Sequence, residues 1–196
     1  MKLALIFFLV AIAGLQCNKV LAGDNTINIE QVGDNNTITI SQDGSGHTAT
    51  VELGKTTAGS GNNIAIDQKD SGPKVATVII PTGINNGVSI LQQGAGNHTA
   101  NIQNLNGSGN NISIDQNGAG NHQFILVGTN GSTNNGNTVG AVQSGGFGAD
   151  KSFQLDLNGA NGATVGIQQT NPTQANQGTM TIQCNPCNGN YSYTRF

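Results

Sequence analysis

Few residues of this 196-residue chain could do chemistry, and the first to weigh are Cys184 and Cys187. Their C-x-x-C spacing is that of a thiol redox pair, but a redox cysteine needs a helix N-terminus or a basic neighbour to hold its thiolate. Cys184-Asn-Pro-Cys187 offers neither, so a small structural disulfide closing a turn is expected. His47, His98 and His122 are the three histidines. Each stands where a turn enters a strand, so together they could line one edge of a stack. Without close ligand partners they read as Asn-like turn residues rather than metal ligands. Gly145-Gly-Phe-Gly148-Ala-Asp150 begins like a calcium-binding nonapeptide, but such sites are built from stacked copies and a lone copy reads as an ordinary turn. The outward pairs Thr37 and Thr39, Thr48 and Thr50, and Thr179 and Thr181 could order water on an ice-binding surface. Asn28, Ala65, Ser89 and Gly140 interrupt their rows.

Composition narrows the chemistry further. Charged residues are 9%, aromatics 4%, and Trp is absent, which leaves little material for acid-base catalysis, metal ligation or cofactor binding. No catalytic, cofactor or metal residue is assigned, and an enzyme is not expected. Seven Lys+Arg and a net charge of -3 lack the basic footprint of a nucleic-acid or anionic-membrane binder. Ile, Val and Thr recur along the whole chain, which argues against disorder.

The N-terminus carries targeting features. Lys2 precedes an apolar run from Leu3 to Leu15, and small residues stand at Val20 and Ala22, where a signal peptidase reads. Residues 1–22 are expected to be a secretory signal peptide. The run is shorter than the ~20 residues a membrane-spanning helix needs. A lipoprotein site at Cys17 is disfavoured by Gln16, a large polar residue where a small one is required. Residues 23–196 then form the mature domain, with Cys184 and Cys187 in an oxidising compartment.

An internal repeat organises that domain. The frame N-x-I-x-I-x-Q-x-G runs from Asn25 through Ile27, Ile29 and Gln31 to Gly33, and returns from Asn36 through Ile38, Ile40 and Gln42 to Gly44. Copies recur at Asn62–Gln68, Asn86–Gly94, Asn110–Gly118, Asn137–Gly145 and Val165–Gln169, with weaker alternating segments between them. Alternation of period two is the strand signal, and it puts the apolar letters and the Gln on one face. Fourteen strands are expected between Asn25 and Phe196.

The glutamines show how the strands group. Gln42, Gln68, Gln92, Gln116, Gln143 and Gln169 fall on every second strand, 26, 24, 24, 27 and 26 residues apart. The alternate strands carry Gln31, Leu53, Ile80, Asn104, Gly128, Leu157 and Cys184 at that place. The unit is therefore strand-turn-strand, and an all-β, two-sheet β-solenoid of about seven stacked coils is expected. In such a stack an inward amide can bond its copy ~4.8 Å away, so Gln31, Gln42, Gln68, Gln92, Gln116, Gln143 and Gln169 are the candidate structural ladder. Asn106-Gly107, Asn117-Gly118 and Asn158-Gly159 are hairpin signals that favour an antiparallel sandwich or barrel instead. Hairpins do not explain the return of Gln on alternate strands.

The frame resembles the curlin repeat, S-x5-Q-x-G-x2-N-x-A-x3-Q. Asn25, Gln31, Gly33, Asn36, Ile38 and Gln42 match its spacing, with Asn for Ser and Ile for Ala. Asn86, Gln92, Gly94 and Asn97 keep it, as do Asn110, Gln116, Gly118 and Asn121. The resemblance implies a secreted subunit of curli-type fimbriae, amyloid fibres on the cell surface that serve adhesion and biofilm matrix. It implies self-assembly, a nucleating fimbrial subunit and an outer-membrane export channel as partners, and no nucleic acid. Cys184, Cys187 and the aromatic tail Tyr191–Phe196 lie outside the pattern, and strands of six or seven residues fall short of the ~9 to 11 of a membrane barrel. No charged or proline-rich segment caps either end of the repeat, so head-to-tail stacking into a filament is expected.

Overall fold

The computed structural model describes residues 24–53, 59–103, 105–128, 133–187 and 189–196, together with the backbone of 15–20. Among the described residues fifteen strands alternate between two sheets. One sheet holds β1 (Leu15–Val20), β3 (Thr37–Gly44), β5 (Asn63–Asp70), β7 (Gly87–Gln93), β9 (Asn111–Gly118), β11 (Thr138–Gly145), β13 (Thr164–Gln169) and β15 (Asn190–Arg195). The other holds β2 (Thr26–Gln31), β4 (Thr48–Leu53), β6 (Lys74–Ile79), β8 (His98–Gln103), β10 (His122–Gly128), β12 (Lys151–Leu157) and β14 (Asn176–Ile182). No helix occurs among the described residues.

Every pairing is parallel. Parallel neighbours need a crossover between them, and here the crossover is a strand of the opposite sheet. Each coil therefore runs one strand along each sheet, and the pairs β2–β3 to β14–β15 stack as a β-solenoid of about seven coils. The Asn-Gly segments lie where the chain passes from one sheet to the other instead of closing hairpins, so the antiparallel alternative does not hold.

Alternation does what the period predicts. On β9 the burial runs exposed, buried, exposed, buried, intermediate, buried, and the inward residues are Ile112, Ile114 and Gln116. Register stacks like on like: Ile40, Ile66, Ile90, Ile114, Ala141 and Ile167 form one column. In the opposite sheet Ala49, Ala76 and Ala100 give way to Phe124 and Phe153. The coil that brings in Phe124 carries Ala141 where earlier coils carry Ile, so side-chain volume is redistributed within the coil.

Turn glycines let the coils approach. Gly94 has φ +97°, and a Cβ there would lie 2.4 Å from the carbonyl oxygen of Gly118 in the next coil. Gly118, at φ +117°, meets Gly145 in the same way. A side chain at either position would push the coils apart.

Two details differ from the sequence expectation. Leu157 lies in register with Ile182, not Cys184, because Asn176–Ile182 enters the sheet earlier than its spacing suggests. A fifteenth strand, β1, lies within the expected leader and pairs with the outer edge of β3. Asn104 and the rest of the expected leader fall outside the described residues.

Candidate functional site

Two amide ladders run along the stack, one from Gln42 to Gln169 and one from Asn36 to Asn137. In the first, Nε2 of Gln42 donates to Oε1 of Gln68 at 2.8 Å, and the pattern repeats through Gln92, Gln116, Gln143 and Gln169 at 2.8 to 2.9 Å. The second hydrogen of each Nε2 crosses the core to a backbone carbonyl of the opposite sheet, as from Gln92 to Val75 at 3.1 Å. Each of these six amides is buried. Buried polar groups are tolerated when fully bonded, and a side chain that both donates and accepts satisfies its copy in the next coil.

Gln31 does not belong to this ladder. It sits on β2 in the other sheet, in register with Leu53, and donates to the carbonyl of Gly33 at 3.1 Å. The frame around it is the same as around Gln42; only the sheet differs.

The second ladder uses the first letter of the frame. Nδ2 of Asn62, Asn86, Asn110 and Asn137 each donates to Oδ1 of the preceding Asn at 2.9 to 3.0 Å, beginning at Asn36. The other Nδ2 hydrogen closes a turn carbonyl, such as Gly107 for Asn86 at 2.9 Å. Its donors point towards the N-terminal end, opposite to the Gln ladder. Asn was legible as a frame letter, but its preference for turns hid its inward role.

The histidines form a third column. Register aligns His47, Lys74, His98, His122 and Lys151 one above another at the start of the β2–β14 sheet. All five are buried. They are not Asn-like surface turn residues, because the ring or ammonium group fills the corner between the sheets and caps carbonyls there. Lys74 Nζ donates to the carbonyls of Ser71, Gly72, Gly94 and Gly96 at 2.8 to 3.0 Å. Lys151 Nζ donates to those of Asn171 and Gln174. The His98 and His122 rings stack with centroids 4.8 Å apart, and their Nε2 atoms meet the carbonyls of Gln93 and Asn117. Burial lowers the pKa of all five, His98 to about 4 and Lys74 to about 8. Among the described residues no group of three or more His, Cys, Asp or Glu is arranged to hold a metal ion.

The remaining candidates fall outside the core. Asp150 Oδ1 accepts from the Asn121 amide at 2.7 Å, so its carboxylate closes a turn. Thr39 stacks on Ala65, Ser89, Ser113, Gly140 and Gly166, which leaves no continuous outward Thr row there.

The two ends of the stack differ. At the N-terminal end the Oε1 atoms of Gln31 and Gln42 are buried with no hydrogen-bond partner among the described residues, and Ile27 and Ile29 are half-buried on the edge strand β2. At the C-terminal end aromatic rings close the core. Tyr193 reaches across from β15 to lie 4.9 Å from the Phe153 ring, its hydroxyl donating to the carbonyl of Gln177. Gly178 makes room, since a Cβ there would lie 2.7 Å from Phe153 and 2.8 Å from Tyr193. A disulfide joins Cys184 to Cys187 beside the Tyr191 hydroxyl.

Residues 23–54 and 33–69 match the curlin associated repeat. The match ends at residue 69, although the frame of these coils continues to Gln169 with the same register. No curated protein matches the chain, and no solved structure does.

Proposed function

We propose that this protein is a secreted structural subunit of curli-type fimbriae, exported after loss of residues 1–22 and polymerised outside the cell. The observation that carries the reading is a parallel β-solenoid, matching the curlin repeat over residues 23–69, whose inward amide ladder ends at its first coil on an acceptor, Oε1 of Gln42, with no donor among the described residues and on an edge that the leader strand β1 covers until it is lost. A soluble solenoid closes its ends with capping repeats, whereas here β2, β14 and β15 are outermost strands whose outer edges pair with no strand among the described residues. The role is architectural and not catalytic. By the same resemblance a nucleating fimbrial subunit and an outer-membrane export channel are its partners, the homopolymer is its product, and adhesion and biofilm matrix are its use.

The test is fibre formation by the secreted protein. Fibres should bind amyloid dyes and give a meridional reflection near ~4.7 to 4.8 Å from parallel strands stacked along the axis. A stable monomer that inhibits ice recrystallisation without forming fibres would overturn the reading in favour of an ice-binding solenoid.

A further inference from the structure

The Gln ladder has a direction. Every Nε2 donates towards the C-terminal end, so the first member, Gln42, has an Oε1 with no partner among the described residues. At the other end the direction is closed internally: Gln169 Nε2 donates to the carbonyls of Ser152 and Asn176 at 3.2 and 3.4 Å. The residue in register with Gln169 on the last strand is Arg195. It occupies the ladder position with a side chain that only donates, and it is exposed.

We infer that copies join through one polar junction, in which β15 of one copy lies parallel on the outer edge of β3 of the next and Arg195 donates to the open Oε1 of Gln42. This rests on the fimbrial reading and names its contact. Continuing the register of both sheets sets Tyr191 on Ile38 and Tyr193 on Ile40. In the opposite sheet it sets Met180 on Ile29 and Ile182 on Gln31. The half-buried Ile29 thereby gains cover. The edge of β3 is competent for a parallel strand, because β1 already lies there with Leu15 in register with Ile38 and Cys17 with Ile40. β1 and a second copy therefore compete for one site, and the N-terminal end is closed while Leu15–Val20 occupies it.

The junction predicts different outcomes for different chemistry at one exposed position. In the secreted protein, Arg195→Gln keeps a donor in the ladder and should elongate fibres within about threefold of the parent. Arg195→Glu sets an acceptor against an acceptor and should slow elongation about tenfold or more, with unchanged circular dichroism of the unpolymerised protein. Gln31→Leu should not slow elongation, since the apolar Ile182 is its partner across the junction. Gln42→Cys and Arg195→Cys combined in one chain should give disulfide-linked multimers on oxidation of fibres, and neither substitution alone should. Fibres from Arg195→Glu at the parental rate, or parental-quality fibres from the double variant with no cross-linked multimers, would overturn the junction and leave the fimbrial reading intact. A parent protein that forms no fibres would overturn both.

Discussion

The Gln column from Gln42 to Gln169 and the basic column from His47 to Lys151 solve the same problem at two corners of one core, by opposite means. An amide is donor and acceptor together, so each Gln satisfies its own copy and the column can continue for any number of coils. An ammonium group only donates, and two of them cannot bond each other. Lys74 and Lys151 therefore spend their donors on turn carbonyls, and neutral histidines separate them. The basic column is bounded by Asn25 and Asn176, which lie in register with His47 and Lys151. The difference teaches that a self-complementary side chain suits an endless stack, while a column of like charges must be local and depends on pH.

Acid should separate the two columns most strongly. The fold keeps its histidines neutral: His98 is held near 4 by burial, with Lys74 and His122 facing it. His47 faces Asp43, Asp70 and Lys74, and His122 faces His98, Lys151 and Asp150. The unfolded chain binds protons at these sites from about pH 6.5 downward while the fold refuses them. Stability should thus be nearly flat between about pH 6.5 and 7.5 and fall as pH drops towards about 4, by on the order of 3 kcal/mol from His98 alone, with His47 and His122 adding in the same direction; above about pH 8 it should rise, because Lys74 gives up its proton in the fold before it does in the unfolded chain. Asp115, raised by burial, acts in the opposite sense at lower pH. Urea midpoints of the unpolymerised protein between pH 7.5 and 4 measure this. His98→Gln should flatten the curve, and an unchanged slope in that variant would remove the basic column as its cause.

A smaller effect is expected from breaking the amide column once. Gln92→Leu leaves Gln68 Nε2, Gln116 Oε1 and the Val75 carbonyl without their partners. The cost should be about 2 kcal/mol in urea unfolding at pH 7, independent of pH between 5 and 8. A pH-dependent loss would mean that the two columns are coupled through the core.

The smallest effect belongs to the outer face, which touches neither column. Lys69 pairs with Asp67 at 2.5 Å on the outward face of β5. Lys69→Ala should change stability by less than about 0.5 kcal/mol, and raising the salt concentration should erase the difference. A loss above 1 kcal/mol would show that surface charge, and not the inward columns, holds neighbouring coils together.

Much of this was legible residue by residue. The alternation Ile38, Ile40, Gln42 and its copies located every strand from β2 to β15, and the recurrence of Gln on alternate strands pointed to stacked coils. The placing of Gln31 on the alternate strands with Leu53 holds, but its frame, equal to that of Gln42, hides that it has no amide copy in its own sheet. β1 was missed because Leu15–Val20 reads as the end of a leader. Cys184 was set against Leu157 because strand spacing alone cannot tell which residue of β14 enters first.

Period-two alternation and the positive-φ turn residues act within a few bonds along the chain, so the sequence by itself determined the strands, their inward faces and the repeating unit. Which residues stand above one another was decided by register between coils, and register depends on turn lengths that vary from coil to coil. That is why His47, Lys74, His98, His122 and Lys151, three of one type and two of another at uneven spacing, meet in one buried column only in three dimensions. The direction of the Gln ladder is likewise tertiary: an amide can turn either way, and the carbonyls of the opposite sheet, from Thr26 to Ser152, orient every Nε2 towards the C-terminal end and leave Gln42 open.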